Sequence, residues 1–217
     1  MTLQWRIEDN IGWLAINQPP ANTMSLEFFR DFQEAIQIVE HTDGLKALII
    51  HANGRHFSSG ANLDELLDHV DEEVMLQHYN AFLHLEQLGI PAISAIRGVC
   101  LGSAMELTLF CHFRICSNEA VFGFPETTYN LMPGIGGVQR FSKLVGKAKA
   151  LELILHGNTF SAREAFEFGL IDAIVPKHEL LTFAARFAKT LPLNITGTDR
   201  RICLQKYLNP LNAKINL

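Results

Sequence analysis

The reading of this chain turns on Gly98-Val99-Cys100-Leu101-Gly102-Ser103-Ala104-Met105-Glu106-Leu107. Two glycines bracket a short apolar triplet, and a long apolar run follows, reaching Phe113. The pattern predicts a turn over 98–103 that opens directly into a helix over 104–111, because glycine supplies the positive φ a tight turn needs. Ser103 and Glu106 also stand at capping-box spacing, in which the serine hydroxyl accepts an amide of the first turn and the glutamate reaches back to the serine amide. On that reading Glu106 does no more than start a helix.

Outward from this turn, strand-like and helical patterns alternate. Residues 3–8 and 11–16 read as a hairpin, with Leu3, Trp5 and Ile7 on one face of its first arm. Pro19-Pro20 stops the second arm, and Ser25 caps a helix to about His41 in which Phe28, Phe29, Phe32, Ile36 and Val39 recur near helical spacing. Strands follow over 45–51 and 92–96, with a short helix near 63–69 and a longer one near 72–88 between them. Beyond the turn, strands are expected over 112–116, 120–124 and 170–175. Helices are expected over 137–156 with a break at Gly146, from a second capping box at Ser161-Ala162-Arg163-Glu164 to Gly169, and over 177–191. The pattern has no linker, low-complexity run or internal repeat, so it predicts one α/β domain over 1–192. A short C-terminal helical segment, 193–217, with one helix over about 197–208, completes it.

Composition narrows the function classes. The 217 residues are enough for a substantial core, and 48% of them are hydrophobic against 19% charged, a globular and rather apolar balance that suits a subunit interface. A net charge of −5 argues against a nucleic-acid surface, which needs a clustered basic face. No uninterrupted apolar stretch is long enough to span a membrane. The N-terminal residues carry acids early and lack an apolar core, so no secretory signal is expected and a cytoplasmic protein is. Cys100, Cys111, Cys116 and Cys203 form no C-x-x-C pair and read as small buried hydrophobes. The nine histidines give no metal-ligand spacing, and His78 and His84 fall on different faces of one helix.

A second glutamate shares the setting of the first. Glu126 lies in Phe122-Gly123-Phe124-Pro125-Glu126, followed by Pro133-Gly134-Ile135-Gly136-Gly137, and a further glycine loop, Phe57-Ser58-Ser59-Gly60-Ala61-Asn62-Leu63, lies upstream. Singly, each part has an ordinary explanation: a helix cap, a first-turn acid that the helix dipole favours, a turn. Together, two carboxyls and two glycine-supported loops are what is needed to move protons beside a carbonyl while holding its oxyanion.

The motifs, taken in order, resemble the crotonase superfamily, also called the enoyl-CoA hydratase/isomerase family. The resemblance rests on Gly54 to Leu63, Gly98 to Leu107, Phe124-Pro125-Glu126, Pro133-Gly134-Ile135-Gly136-Gly137-Val138-Gln139-Arg140, Ala162-Arg163-Glu164-Ala165 and Gly169-Leu170-Ile171-Asp172, and covers nearly the whole chain. It implies a spiral of ββα units with two roughly perpendicular sheets, assembled as a homotrimer or a dimer of trimers. It implies an oxyanion hole from the backbone N–H groups of Ala61 and Ser103, with Glu106 and Glu126 as the acid–base pair. It also implies an acyl-CoA substrate, with coenzyme A arriving as part of that substrate and no separate cofactor or metal. The coenzyme A contacts would fall on Pro20, Ala21, Asn22, Ala61, Asn62, Leu63 and Asp64.

In this chemistry two fixed amides stabilise the charge that develops on a thioester oxygen, one such donor being worth about 3 kcal/mol in other enzymes. One glutamate takes a proton from water and the other gives one to the α-carbon, and neighbouring acids in different environments can hold the opposite protonation states this requires. Which is acid and which is base is open. The chain departs from the family pattern at several positions. Asn62 stands where many relatives have Asp, and Asp64 stands where many carry a basic residue and cannot pair a phosphate, leaving Arg55 or a neighbouring subunit as sources of anion contacts. Ser103 replaces the usual Gly, His112 follows Cys111 where Asp is common, and the chain stops at Leu217, before the usual C-terminal helices. Four readings stay open: a 2-enoyl-CoA hydratase, an enoyl-CoA isomerase that uses Glu126, another acyl-thioester reaction of the superfamily, and a non-catalytic oligomeric binding protein.

Overall fold

The computed structural model describes residues 1–65 and 71–192. The remainder of the helix expected near 63–69, the helix expected over 197–208 and the whole segment 193–217 lie outside the described residues.

The chain opens with a hairpin of β1 (Leu3–Glu8) and β2 (Ile11–Ile16), whose turn residues Asp9 and Asn10 both take positive φ, as a two-residue turn between twisted strands requires. From β2 the sheet is parallel, running through β3 (Ala47–Ala52), β4 (Ala92–Ile96), β6 (Phe113–Ser117) and β9 (Ala173–Val175) in the order β1-β2-β3-β4-β6-β9. Strands β2, β3, β4 and β6 are buried at every residue, which is why β2, β3 and β4 read as mainly apolar runs. One face carries α1 (Leu26–Glu40) and α2 (Glu72–Gln87), packed through Phe28, Phe32, Phe82 and Leu85. The other carries α7 (Leu180–Thr190), which sets Phe183 and Phe187 against Ile49, Ile93 and Phe113. Along the face that Leu3, Trp5 and Ile7 share, burial falls toward the strand end, and Ile7 is 52% exposed.

A second sheet is present as the resemblance implies, in the order β5-β7-β8, and its strands correct the residue-level reading. Residues 98–103 are not all turn: Val99–Leu101 form β5, paired in parallel with β7 (Val121–Gly123), and Thr159–Ser161 add an antiparallel β8 that the pattern did not predict. Three-residue strands carry no readable period; nonlocal pairing makes them, with Cys100 fully buried between Ser58 and Phe122.

The remaining helices are α3 (Ser103–Phe110), α4 (Gly137–Val145), α5 (Lys147–His156) and α6 (Ala162–Glu167). Gly146, at φ +86, separates α4 from α5 at the expected break. Ser161 and Glu164 form the complete capping box. The far end of α3 is fastened by Arg114, which is fully buried and donates to the carbonyls of Thr108 at 2.9 Å, Cys111 at 2.8 Å and Leu170 at 2.7 Å, with Asp172 beside it. Next to it, His112 accepts the Ala92 amide on Nδ1 at 3.1 Å while its own amide donates to Ala92, closing the β4–β6 edge. With its two sheets and covering helices the molecule is of the α/β class expected.

Candidate active site

Three extended segments lie side by side and in parallel: the stretch at Ser58, β5 and β7. The Gly102 amide donates to Gly123 at 3.0 Å and the Leu101 amide to Ser58 at 3.2 Å, so the segments end level. Just past their carboxyl ends the chain delivers Gly60-Ala61, Gly102-Ser103 and Pro125-Glu126, all lining one cavity of about 600 Å³. Ligands gather at such carboxyl ends in open α/β sheets as well.

Glu106 is one turn into α3 and 1% exposed. Its Oε1 accepts the amides of Ile135 at 2.7 Å and Gly137 at 2.8 Å, the turn that opens α4. The capping-box reading of Ser103 and Glu106 therefore fails: Gly102 is the N-cap, Ser103 is the first helical residue, no side chain caps the helix, and the carboxyl points away across the cavity wall. Gly137 is glycine for space, since a β-carbon there would stand 2.8 Å from Glu106 Oε1. Burial first, and the nearby Glu126 second, push Glu106 up to about 8, against the two amides that favour its charged form.

Glu126 sits in a single 3-10 turn, Pro125–Tyr129, held by Thr127 bonding to Ile154 at 3.0 Å and capped by the left-handed Asn130. Burial pushes its carboxyl up to about 7, and its buried Oε2 has no hydrogen-bond partner among the described residues. A carboxyl so placed is short of partners until something enters the cavity.

Two backbone amides face the same space. Met24 bonds to Gly60 and Asn62 on either side of Ala61, so in the extended chain the Ala61 N–H turns away from Met24, on the side where Ala61 lines the cavity. Gly60, at φ +97, lets this loop approach β5 so closely that a β-carbon would stand 2.8 Å from the Leu101 carbonyl. Ser58 fixes the loop by accepting the Gly60 amide at 3.0 Å. The Ser103 amide opens α3, where a helix leaves its first amides unpaired and the dipole favours negative charge. No acceptor for either amide is found among the described residues.

Of the residues expected at the site, the structure brings Ala61, Leu63, Ser103, Glu106 and Glu126 onto this cavity. It does not bring Pro20, Ala21, Asn22, Asn62 or Asp64 onto its wall. Asn22, buried and at φ +53, spends its side chain on the Gln18 amide and the carbonyls of Asn53 and His56. Asn62 is engaged with Glu65 and the Asp64 amide, and Asp64 is exposed. Sequence reading missed the apolar wall of Met75, Tyr129, Leu131 and Met132, which has no common period. It also missed the role of the Ile135 and Gly137 amides, although the run of glycines over 134–137 was the signal that could have found them. Among the described residues no helix is long and apolar enough to cross a membrane.

Known proteins resemble this chain in sequence and fold. The sequence profile of the enoyl-CoA hydratase/isomerase family matches residues 6–198. A probable enoyl-CoA hydratase of Bacillus subtilis is 34% identical over 202 residues, 88% of this chain and 78% of that protein. The fatty acid oxidation complex subunit alpha of Shewanella loihica is 36% identical, and this chain spans only 33% of its length. Among solved structures, enoyl-CoA hydratase from Bacillus anthracis superposes with a TM-score of 0.82 at 29% identity, covering 98% of this chain and 84% of that one. An enoyl-CoA hydratase subunit I from Geobacillus kaustophilus gives a TM-score of 0.83 at 26% identity, with 99% and 91% covered.

Proposed function

The chain belongs to the enoyl-CoA hydratase/isomerase family, and on that footing we propose that it hydrates a 2-enoyl-CoA thioester to the 3-hydroxyacyl-CoA. The observation that carries the reading is the pairing, across one cavity, of two carboxyls raised to about 8 and about 7 with two backbone amides that have no acceptor among the described residues. The thioester oxygen takes the amides of Ala61 and Ser103, which draws electron density from the β-carbon. The ionised member of the pair removes a proton from water as its oxygen bonds to the β-carbon. The protonated member gives its proton to the α-carbon, so the pair ends with the same single proton it began with. Acids that titrate this close together share a proton over the range between their two steps, and that is the state the reaction uses.

Coenzyme A is then part of the substrate, and no other cofactor or metal enters the scheme. Of the positions the resemblance assigns to it, Ala61 and Leu63 line the cavity and are the contacts this reading keeps. The exposed Asp64 repels its phosphates, so cationic contacts come from Arg55 or a second copy in a homotrimer or dimer of trimers.

A second reading, double-bond isomerisation of a 3-enoyl-CoA by Glu126 alone, is favoured by one observation: Glu106 Oε1 is already committed to two amides, whereas Glu126 Oε2 has no partner among the described residues and can carry a proton. Incubation with a short 2-enoyl-CoA and, separately, a 3-enoyl-CoA distinguishes the two. Hydrated product from the first supports the proposal. Isomerised product from the second with no hydration replaces it with the isomerase reading, and no turnover of either refutes both.

A further inference from the structure

Glu106 draws its two hydrogen bonds from a turn on another helix, so something must hold that helix in place. The Gly136-Gly137 turn has no side-chain cap of its own. One turn along α4, Arg140 forms a bidentate pair with Glu86 of α2, both bonds at 2.8 Å. The same guanidinium lies 3.6 Å from the centre of the Phe110 ring. Phe110 is one turn beyond Glu106 on α3, and Tyr79 of α2 meets that ring edge-on at 5.6 Å. A single planar cation thus joins three helices: fork to α2, face to α3, backbone in α4. The Arg140 amide donates to Gly136 at 3.1 Å, linking the clamp to the turn that grips Glu106.

We propose that Arg140 is a positioning residue for Glu106: by clamping α2, α3 and α4 together it keeps the Ile135 and Gly137 amides seated on the Glu106 carboxyl. The role needs arginine. Lysine offers a point charge without the fork or the flat face, so it cannot serve two carboxylate oxygens and a ring at once. The assignment rests on the hydratase reading only for its effect on turnover. The seating of the carboxyl is a property of the protein alone.

Seating is read through titration. Among the described residues, the titratable group bearing on Glu106 is Glu126, and those bearing on Arg140 are Glu86 and Tyr79. Weakening two amide donors while the side chain stays buried leaves desolvation less opposed, so the Glu106 midpoint moves up. Arg140→Met keeps an unbranched apolar side chain at that position and removes both the fork and the face that lies on Phe110. Carbon-13 NMR of glutamate-labelled protein, without substrate, should show the Glu106 midpoint raised by about half a unit or more in Arg140→Met and by less in Arg140→Lys. With 2-enoyl-CoA, kcat should fall about tenfold or more at nearly constant KM, the pattern of a misplaced group. If Arg140→Met does not fold, Glu86→Gln, which keeps the stacking and weakens the fork, should move the midpoint in the same direction by a smaller amount. An unchanged Glu106 midpoint in folded Arg140→Met, or in Glu86→Gln where the former does not fold, overturns the assignment. The titration uses no substrate, so a protein that hydrates nothing defeats the proposed reaction without touching this result.

Discussion

Gly102 lies directly beneath the carboxyl of Glu126: a β-carbon at residue 102 would stand 3.2 Å from Glu126 Oε1. Gly102 also takes φ +53 and ψ −126, a region that disfavours any side chain. One residue thus shapes the start of α3, orients the Ser103 amide and leaves space for the second carboxyl. Gly102→Ala is expected to reduce hydration about 100-fold or more, by displacing both groups at once. Gly169→Ala is the control, since Gly169 has φ +77 but nothing within 4 Å of its β-carbon position. It should cost stability alone. Equal turnover losses in the two variants, measured on protein shown to be folded, would mean that backbone strain and not the cavity explains the effect.

The shared proton sets the pH response of turnover. With Glu126 raised to about 7 and Glu106 to about 8, the pair holds two protons well below pH 7 and none well above pH 8. Hydration should follow a bell with its maximum between those limbs. Glu126→Gln and Glu106→Gln should each lose about 100-fold or more, and the double variant far less than the product of the two losses, because the pair acts as a unit. A flat profile from pH 6 to pH 9 in the unsubstituted protein would defeat the paired-carboxyl mechanism (the pH limits are about one unit either side of the limbs).

Raised carboxyls also tie stability to pH. Between the ordinary glutamate value, 4.5, and about 8, the unfolded chain has released the Glu106 proton while the folded chain retains it. The unfolded state then binds fewer protons, so this group's contribution to stability falls as pH rises through that window. Glu106→Gln preserves the acceptor for Ile135 and Gly137 and cannot ionise. Its melting temperature relative to the parent should rise toward alkaline pH, by about 3 °C or more, the shift that about 1 kcal/mol gives in a domain of this size. Parallel melting curves across pH would contradict the raised value.

Arg114 carries the opposite kind of burden. It closes the carboxyl end of α3 with bonds to the Thr108 and Cys111 carbonyls and ties it to Leu170 with a third, from a fully buried position beside Asp172, whose carboxyl burial pushes up to about 6. Arg114→Met leaves those carbonyls without their donor and removes the guanidinium beside the buried Asp172. The expected loss is about 3–5 kcal/mol of stability, which chemical denaturation would measure. A loss below about 1 kcal/mol would show that water takes over these groups.

Much of this was legible in the residues because long periodic runs report their own burial. Phe28, Phe32 and Ile36 of α1, and the mainly apolar strands β3 and β4, were placed by pattern alone. Ser25 and Ser161 cap their helices as read, yet Ser103, with the same spacing to Glu106, opens α3 without capping it. Local bonding offers Glu106 either partner, and only the arrival of Ile135 and Gly137 from elsewhere in the chain decides between them. The same limit hid β5 and β8, whose pairing is nonlocal, and Arg114 and Arg140, whose partners lie on other elements. The convergence of Glu106 and Glu126 was inferred from a family pattern, and the register that brings their loops together had to be seen.

That register has a consequence for how the gene can vary. The three segments at Ser58, β5 and β7 end level because Leu101 pairs with Gly123 and bonds back to Ser58. An inserted residue within β5 would exchange its buried and cavity-facing sides and carry the Ser103 amide and Glu126 out of step. An insertion at the exposed Asp9-Asn10 turn, or at Gly146, where nothing crowds the backbone, meets no such constraint. Length changes among descendants of this sequence should therefore accumulate at the hairpin tip and between α4 and α5. The stretch from Cys100 to Ser103 is one where substitutions can be absorbed but a change of reading length cannot.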